Sequence, residues 1–421
     1  MTEAFKEKGL LFGKALKNLD FRVPVLVILM AVHPLVPLPW ALPRWAVLIV
    51  ISIFALLLVV KDRLWVPGTV TIRLYLFLLA VLLSAVLSDY QGVVWLGDPG
   101  YMTGFISHVG YAVLFILALD VAYRSPMEME KVLNLWLFSA FVIAWIGLLQ
   151  YFGFNILPYG ERTVFQATTS YSTIWNTNDL GNYMVMAFPF AAYYFLQKAT
   201  VSTSLLVASI FAATLTTLTR GAWLALLAAF LFLFFFYPQK KNMVYLILIM
   251  TLVTAILMPM DDWKLAKRTG TFSGEVEKAV EGDPEAGSVR FLLWQEGLKA
   301  LPQTVLIGTG PDTFYYVGEE KFVERWWEGA RQAKKAHNIF LEIAVTMGIP
   351  ALVLYLWFIW GAVAKASLRN PLHVAFIAVV IAYLVRGGFL VDVIQVYPLF
   401  WVLLGFCAGV SISPSRLEPE I

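Results

Sequence analysis

Three arginines and one histidine are the residues of this chain whose types and positions suggest chemistry. Arg220 and Arg386 each lie at the end of an apolar run, where a charge needs a partner or a cavity. Arg290 begins an amphipathic segment, and His337 stands where a polar segment becomes apolar again. Arginine offers a planar fork of donors that matches phosphate oxygens, and histidine accepts a proton near neutral pH. The combination suggests group transfer from a diphosphate donor, with His337 as the base.

The long polar segment that ends at His337 begins at Asp261 and is the main interruption of an apolar chain. It holds 24 of the 59 charged residues. Such a density of charge requires water around it. We therefore expect the segment to deliver His337 to a membrane surface.

The composition predicts an all-α polytopic membrane protein. The 421 residues are 60% hydrophobic and 14% charged, with a mean hydropathy of +0.75, whereas soluble domains are about 25% charged. The apolar runs are continuous and long enough to cross about 30 Å of hydrocarbon as helices. The first 20 residues are charged and amphipathic, and the first run lacks a small-residue cleavage pattern, so it predicts a retained helix.

The pattern predicts about twelve transmembrane helices and one large outer loop. The spans are 22–38, 45–60, 71–88, 104–122, 132–152, 179–196, 203–219, 222–237, 243–260, 340–365, 370–390 and 394–411. They give an N-terminal bundle of about nine helices (1–260), an outer loop with amphipathic helices (261–337) and about three C-terminal helices (338–421). Within the loop, 290–301 has the spacing of a surface helix, 306–316 is rich in turn residues, and 319–338 predicts a second, more polar helix.

Positive charge sets the orientation, because cytoplasmic loops carry the excess of lysine and arginine. With the N-terminus inside, the cytoplasmic segments hold sixteen such residues and the short outer loops hold four: Arg44, Arg162, Arg220 and Arg386. Both termini are then cytoplasmic, and His337 faces the outer side. Arg44 and Arg162 fit simple solvation in loops. Arg220 either snorkels to the headgroups or faces a partner.

Several further polar residues have two interpretations each. Asn178 lies in the cluster Asn176–Asn182, which suits either a helix N-cap or hydrogen bonds to a sugar. Asn338 and Glu342 share a helix face that could orient an acceptor or cap and solvate the helix. Trp326 and Trp327 suit a bilayer interface or stacking on sugar rings.

Other classes of function lack support in the sequence. It has no zinc-ligand spacing, no GxSxG and no Walker loop, and Asp261 and Asp262 suit capping better than a metal site. We predict no metal and no cofactor. One cysteine, Cys407, excludes an internal disulfide, and a net charge of +3 spread over many loops gives no sign of nucleic-acid binding.

Five blocks of this sequence resemble the O-antigen ligase and polymerase superfamily. They are NTNDLGNYM (176–184), TRGAWLAL (219–226), SVRFLLWQEGLKAL (288–301), IGTGPDTF (307–314) and AHNIFLEIAVTMGI (336–349). The resemblance implies a membrane glycosyltransferase of the GT-C type. Through these blocks, the essential histidine of such enzymes corresponds to His337 and their diphosphate-binding arginines to Arg220 and Arg290. Arg386 has no block of its own.

The resemblance also implies the reaction and its location. Such enzymes work in the bacterial inner membrane and move a glycan en bloc from undecaprenyl diphosphate to a hydroxyl acceptor, inverting the anomeric centre without a metal. In ligases the acceptor is lipid A–core oligosaccharide, and in polymerases it is another lipid-linked glycan. Partners would thus be the donor, the acceptor and membrane lipids. The superfamily has members once labelled bicarbonate transporters, so a carrier of an anion or lipid-linked sugar is a further alternative, with Glu342 and Asp392 available for proton coupling.

The orientation can be tested with single cysteines in a Cys407→Ala background. A cysteine at Gly282 should react with membrane-impermeant thiol reagents on intact cells. A cysteine at Gln239, beside Lys240 and Lys241, should react only after permeabilisation. Labelling of intact cells at Gln239 alone would reverse the topology.

Overall fold

The computed structural model describes residues 20–38, 40–62, 64, 68–157, 169–260, 263–280, 290–317 and 334–413. Within these ranges every regular element is a helix, which confirms the all-α class. In chain order the helices are α1 (Arg22–Leu35), α2 (Ala41–Lys61), α3 (Thr69–Val86), α4 (Gln91–Val94), α5 (Phe105–Arg124), α6 (Pro126–Tyr151), α7 (Thr177–Gln197), α8 (Val201–Thr216), α9 (Arg220–Phe236), α10 (Met243–Met260), α11 (Lys264–Val280), α12 (Arg290–Thr304), α13 (Ile339–Thr346), α14 (Ile349–Val363), α15 (Pro371–Gly387) and α16 (Tyr397–Ile412).

Five of the described helices are long and apolar enough to cross a membrane: α2, α3, α5, α6 and α10. Six shorter ones are also apolar, namely α1, α8, α9, α14, α15 and α16. The 21-residue α7 is in neither group, because Asn178, Asp179 and Asn182 make its first turns polar. Several membrane-crossing helices are thus confirmed, while the number of about twelve stays a prediction.

Burial separates central helices from peripheral ones. In the most apolar window of α5, 78% of the residues are buried inside the protein, and in that of α10 only 17% are. Helix α5 packs along α16, whose residues are buried from Tyr397 to Val410. Helix α7 is also buried over most of its length, which explains how it tolerates polar residues. The apolar surface of α10 therefore faces the lipid.

The predicted span 340–365 is not one continuous helix. It divides into α13 and α14 at Met347 and Gly348, where Gly348 has a φ of +90° that favours glycine and Pro350 follows in the first turn of α14. Helix α13 is therefore a short, separate element. Its first turn begins directly after His337.

A helix is confirmed at the predicted position 290–301, as α12, while its location on the membrane surface stays a prediction. Helix α11 is not predicted from the sequence. The turn-rich connector is confirmed over 306–316, with one 3₁₀ turn at Phe314–Tyr316. The second, more polar loop helix falls mostly on residues 318–333, outside the described residues, as do Asp261, Asp262 and Arg162.

Candidate functional site

The structure brings the four predicted site residues to one end of the helix bundle. Arg220 and Arg290 are the first residues of α9 and α12, and Arg386 lies in the last turn of α15. His337 lies two residues before α13. The charges of Arg290 and Arg386 both act on the His337 ring. We call these four residues the Arg–His cluster.

Two close approaches hold the helices of this cluster together. A Cβ atom on Gly221 would lie 2.9 Å from Nη1 of Arg386, so the first turn of α9 lies directly against that guanidinium. A Cβ atom on Gly387 would lie 2.6 Å from Cγ2 of Ile339, in the first turn of α13. Arg386 therefore sits between the residue after Arg220 and the helix that follows His337.

A hydrogen bond between neighbours of Arg290 and His337 fixes the position of these two residues relative to each other. In α12, Trp294 donates its indole N–H to the carbonyl of Ala336 at 3.1 Å. Trp294 lies four residues after Arg290, and Ala336 directly precedes His337. The Trp294 ring also lies 6.3 Å from that of Phe389, just after α15. Helix α12 is thereby fixed against the chain that carries the histidine.

His337 has an unusual backbone and an unsatisfied ring. Its φ is +49°, in the left-handed region that few non-glycine residues adopt and that is enriched at functional sites. Its Nδ1 atom is buried without a hydrogen-bond partner among the described residues. Burial, together with the charges of Arg290, Arg386 and Lys335, lowers the pKa of His337 to about 4. The imidazole is therefore neutral near pH 7.

A buried ion cluster stands directly beside His337. Lys335 is 3% exposed. Its Nζ atom contacts Oδ1 of Asp312 at 2.5 Å and Oε1 of Glu342 at 3.2 Å, and it donates to Oγ1 of Thr103 at 3.0 Å. Burial alone would lower the pKa of Lys335, but the two carboxylates raise it above its usual value. We call Lys335, Asp312 and Glu342 the ion cluster.

The ion cluster also orders the backbone around it. Oε2 of Glu342 accepts the N–H of Ala336 at 2.7 Å. Oδ2 of Asp312 accepts the N–H groups of Asp98 at 2.8 Å and Thr103 at 3.0 Å. Three segments that are far apart in sequence, 98–103, 312 and 335–342, are therefore joined at one point.

Asn338 and Glu342 have structural partners. The Asn338 side chain caps α13, because its Oδ1 accepts the N–H groups of Phe340 at 3.0 Å and Leu341 at 3.1 Å. Glu342 is 6% exposed and belongs to the ion cluster, so it is not a solvated residue. Capping, one of the two interpretations, is thus confirmed for Asn338. A role in orienting an acceptor stays a prediction for both.

Asn178 contacts Arg386. Arg386 is 1% exposed, and its Nη2 donates to the carbonyl of Asn178 at 3.1 Å and to the side-chain oxygen of Asn178 at 3.4 Å. The N-cap of α7 is Asn176, whose side chain accepts from Asn178 and Asp179. This arrangement confirms the capping interpretation for the cluster, and the binding of a sugar by Asn178 stays a prediction.

Arg44 is buried, and its expected solvation in a loop is wrong. It is 0% exposed in the first turn of α2, and it donates to the carbonyls of Leu38 at 2.7 Å, Val36 at 3.1 Å and Thr173 at 2.5 Å. The charges of Arg44 and Arg386 both act on Asp179. The charge of the buried Asp179 is therefore felt by two buried guanidinium groups, and opposite charges in proximity reduce the cost of burying one another.

Some predicted residues remain without a structural account. Trp326 and Trp327 lie outside the described residues. Among the residues that the structure describes, no group of three or more His, Cys, Asp and Glu side chains lies together as metal ligands would. The absence of a metal remains a prediction, since Asp261 and Asp262 are not described.

Sequence reasoning missed Lys335, Asp312 and Trp294. Asp312 is the acid of the block IGTGPDTF, Trp294 is the tryptophan of SVRFLLWQEGLKAL, and Lys335 directly precedes the block that begins AHNIF. A charged residue directly beside an apolar run is a signal that could have identified Lys335. No spacing rule pairs it with Asp312, because the two are distant in sequence.

Part of the chain is similar to known proteins. Residues 205–356 match the family model described as O-antigen ligase, a range that includes Arg220, Arg290 and His337. The chain is also similar to the exopolysaccharide production protein ExoQ of Rhizobium meliloti (strain 1021), with 28% identity over 137 residues. That match covers 30% of this chain and 31% of the relative, so less than a third of the relative's length is spanned. No solved structure matches.

These matches confirm the predicted resemblance to the O-antigen ligase and polymerase superfamily. Together with the apolar helices, they support an integral membrane enzyme of the O-antigen ligase or polymerase type. The range matched by the family model contains Arg220 at the start of α9, the whole of α12, and His337. Arg386 lies after it.

The ion cluster predicts that replacing Lys335 lowers the stability of the fold much more than replacing the adjacent Lys334. Lys335→Met leaves two buried carboxylates uncompensated, and breaking a buried pair costs about 3–5 kcal/mol. Lys334 pairs with Asp98 at 2.9 Å but is 26% exposed in its side chain, so Lys334→Met should cost at most about 1 kcal/mol. Thermal unfolding in lipid nanodiscs measures both. Adding Asp312→Asn to Lys335→Met should recover part of the loss, and equal effects of the two lysine variants would contradict this account.

Proposed function

We propose that this protein is a membrane glycosyltransferase that moves a glycan en bloc from undecaprenyl diphosphate to a hydroxyl group. The diphosphate of the donor would bind Arg220 and Arg290, and the buried Arg386 would add positive charge beside them. The acceptor would be lipid A–core oligosaccharide or another glycan. The proposal places the site on the outer face of the bacterial inner membrane, with both termini in the cytoplasm.

The observation that carries this proposal is the state of His337. An imidazole that is neutral, close to two arginines and, among the described residues, without a partner at its buried Nδ1 has the properties of a base beside an anion site. A histidine with a structural role would be expected to have hydrogen-bond partners for its buried nitrogen. Burial, followed by the charges of Arg290, Arg386 and Lys335, also explains why the pKa of this histidine is low enough for it to stay unprotonated before a donor binds.

The reaction would proceed as one displacement. His337 takes the proton of the acceptor hydroxyl as that oxygen forms a bond to the anomeric carbon. The bond from the same carbon to the diphosphate oxygen breaks on the opposite face, so the configuration inverts. The electron pair leaves with the undecaprenyl diphosphate, and the arginines stabilise its charge. The proton on His337 is then released to water.

A polymerase that joins lipid-linked glycans is the second candidate. It uses the same donor chemistry and differs in the acceptor. The match to a relative named for exopolysaccharide production favours it, and the match to the O-antigen ligase model favours ligation. Purified protein supplied with undecaprenyl-diphosphate glycan and either lipid A–core or a second lipid-linked glycan would distinguish the two. A transporter would move the lipid-linked glycan without consuming it in either reaction.

His337→Ala should abolish turnover while the protein still folds and binds donor. Loss of a general base costs about 10²–10⁴-fold in rate. Turnover of a defined donor by purified protein, with donor binding measured in parallel, provides the test. Retention of more than about a tenth of wild-type turnover would make the histidine structural, because the loss would fall below the range for a general base.

In the wild-type protein, the pH dependence of kcat should differ from that of kcat/KM. The active form is the neutral imidazole, so activity falls as pH falls through the pKa. For the free protein this pKa is about 4, which places the acid limb of kcat/KM there. Bound diphosphate brings negative charge that offsets the arginines, so the acid limb of kcat should lie at higher pH. Coincident acid limbs would contradict the placement of the diphosphate beside His337.

Arg220→Lys and Arg290→Lys should lower activity nearly as much as the alanine variants. Lysine keeps the charge but loses the fork that binds two oxygens. A lost charged hydrogen bond is worth about 1.5–3 kcal/mol, or about ten- to a hundredfold in kcat/KM. Arg73→Lys is the matched control, since Arg73 lies in α3 near the opposite end of the bundle and packs 4.7 Å from the Trp357 ring centroid. If Arg220→Lys and Arg290→Lys both kept wild-type activity, positive charge alone would suffice.

A further inference from the structure

A groove lined by apolar side chains lies between α6, α8 and α10, with a volume of about 230 Å³. Its lining includes Trp145, Leu148, Phe152, Ala212, Val253 and Leu257. Trp145 is 45% exposed, so the groove opens to the surroundings of the bundle. None of these residues belongs to the Arg–His cluster.

The groove lies near the end of the bundle that carries Arg220. Helix α8 ends at Thr216, and Ala212 is four residues before that end. Val253 lies seven residues before the end of α10, which corresponds to about 10 Å along the helix. An apolar chain that starts at the helix ends could therefore run down this groove.

An apolar surface connects the groove to both sides of Arg220. Ala212 and Leu257 form one buried cluster with Leu265 of α11. Leu218 and Trp223, which flank Arg220 in sequence, pack against the same cluster. A ligand with its apolar part in the groove would thus have its other end near the first turn of α9.

Two basic residues of α11, Lys264 and Arg268, lie where the groove meets the apolar surface that connects it to Arg220. Nζ of Lys264 lies 5.7 Å from the centroid of the Tyr151 ring, beside the groove residue Phe152. Nε of Arg268 donates to the carbonyl of Leu218 at 3.2 Å. Lys264 and Arg268 are half-buried on the same face of α11 as the buried Leu265, since residues four apart are neighbours on a helix.

An apolar groove with a cationic edge fits an amphiphile whose head is strongly anionic. Ordinary phospholipids have this form, but most carry a single phosphodiester. Lys264 and Arg268 lie at this edge, and Arg220 lies between Leu218 and Trp223, the two residues that pack against the adjoining cluster. Such a concentration of positive charge matches a diphosphate, which carries more than one negative charge in a small head.

We propose that the groove holds the first isoprene units of a polyprenyl diphosphate, and that Lys264 and Arg268 complete the cationic surface around its head. This inference rests on the proposed function. Lipid tails are as apolar as the groove walls, so leaving the bilayer for the groove gains little free energy. The cations therefore supply the affinity, while the groove directs the chain away from His337.

Photolabelling tests the path of the chain. The probe is geranylgeranyl diphosphate with a diazirine on its second isoprene unit, added to the protein in nanodiscs of phosphatidylethanolamine and phosphatidylglycerol. We expect the label on groove residues of α6 and α10. Val253→Trp, which fills the groove, should remove most of it. Leu248→Trp is the matched control, because Leu248 is 57% exposed on the same helix outside the groove lining.

Binding of unlabelled geranylgeranyl diphosphate tests the cations. Lys264→Gln and Arg268→Gln should each weaken binding about fivefold, the effect of one cation near a membrane surface. Lys267→Gln is the control, since Lys267 is exposed on the same helix. A phosphatidylglycerol photoprobe that labels the groove equally and is not displaced by the diphosphate would overturn the proposal, as would a label that maps elsewhere.

These measurements do not depend on glycan transfer. If the proposed function fails, the wild-type protein transfers no glycan from any donor, whatever the labelling shows. If only the groove fails, transfer proceeds while Val253→Trp and the two glutamine variants behave as the wild type. The two failures are therefore distinguishable.

Discussion

The contact of Lys335 with two buried carboxylates is the interaction on which the geometry around His337 depends. It joins the segment 98–103, the turn at Asp312 and the start of α13, and the Glu342 carboxylate also binds the N–H of Ala336. A buried charge must be compensated, so these segments cannot separate without a large cost. The rigid support allows His337 to keep a left-handed backbone and a ring nitrogen that has no hydrogen-bond partner in the described part of the chain.

A second constraint is the accumulation of positive charge near one histidine. Arg290, Arg386 and Lys335 all act on the His337 ring, while the charges of Asp312 and Glu342 are already engaged by Lys335. In low dielectric, like charges at short range are unfavourable unless an anion joins them. Asp179 compensates Arg44 and Arg386 from one side. A diphosphate at the Arg–His cluster, as in the proposed reaction, would add negative charge beside these arginines.

The sequence predicts the helical class and the composition of the site, but not its supports. Continuous apolar runs require helices in lipid, and a charge at the end of such a run needs a partner, which identified Arg220 and Arg386. Gly348 and Pro350 mark the separation of α13 from α14 in the sequence, but hydropathy alone joins the apolar residues on both sides into one span. Burial of Arg44 and the contact of Lys335 with Asp312 depend on tertiary packing, which has no periodicity in one sequence.

Charge balance also favours an order of events. In the proposed reaction, burial and the charges of Arg290, Arg386 and Lys335 keep His337 neutral before the donor binds, but the low pKa also makes it a weak base. A bound diphosphate would supply negative charge that raises its basicity, at the same place where it would present the anomeric carbon. An acceptor that arrived first would meet a poor base and no electrophile. On this proposal, the cations that bind the donor also couple proton transfer to its presence.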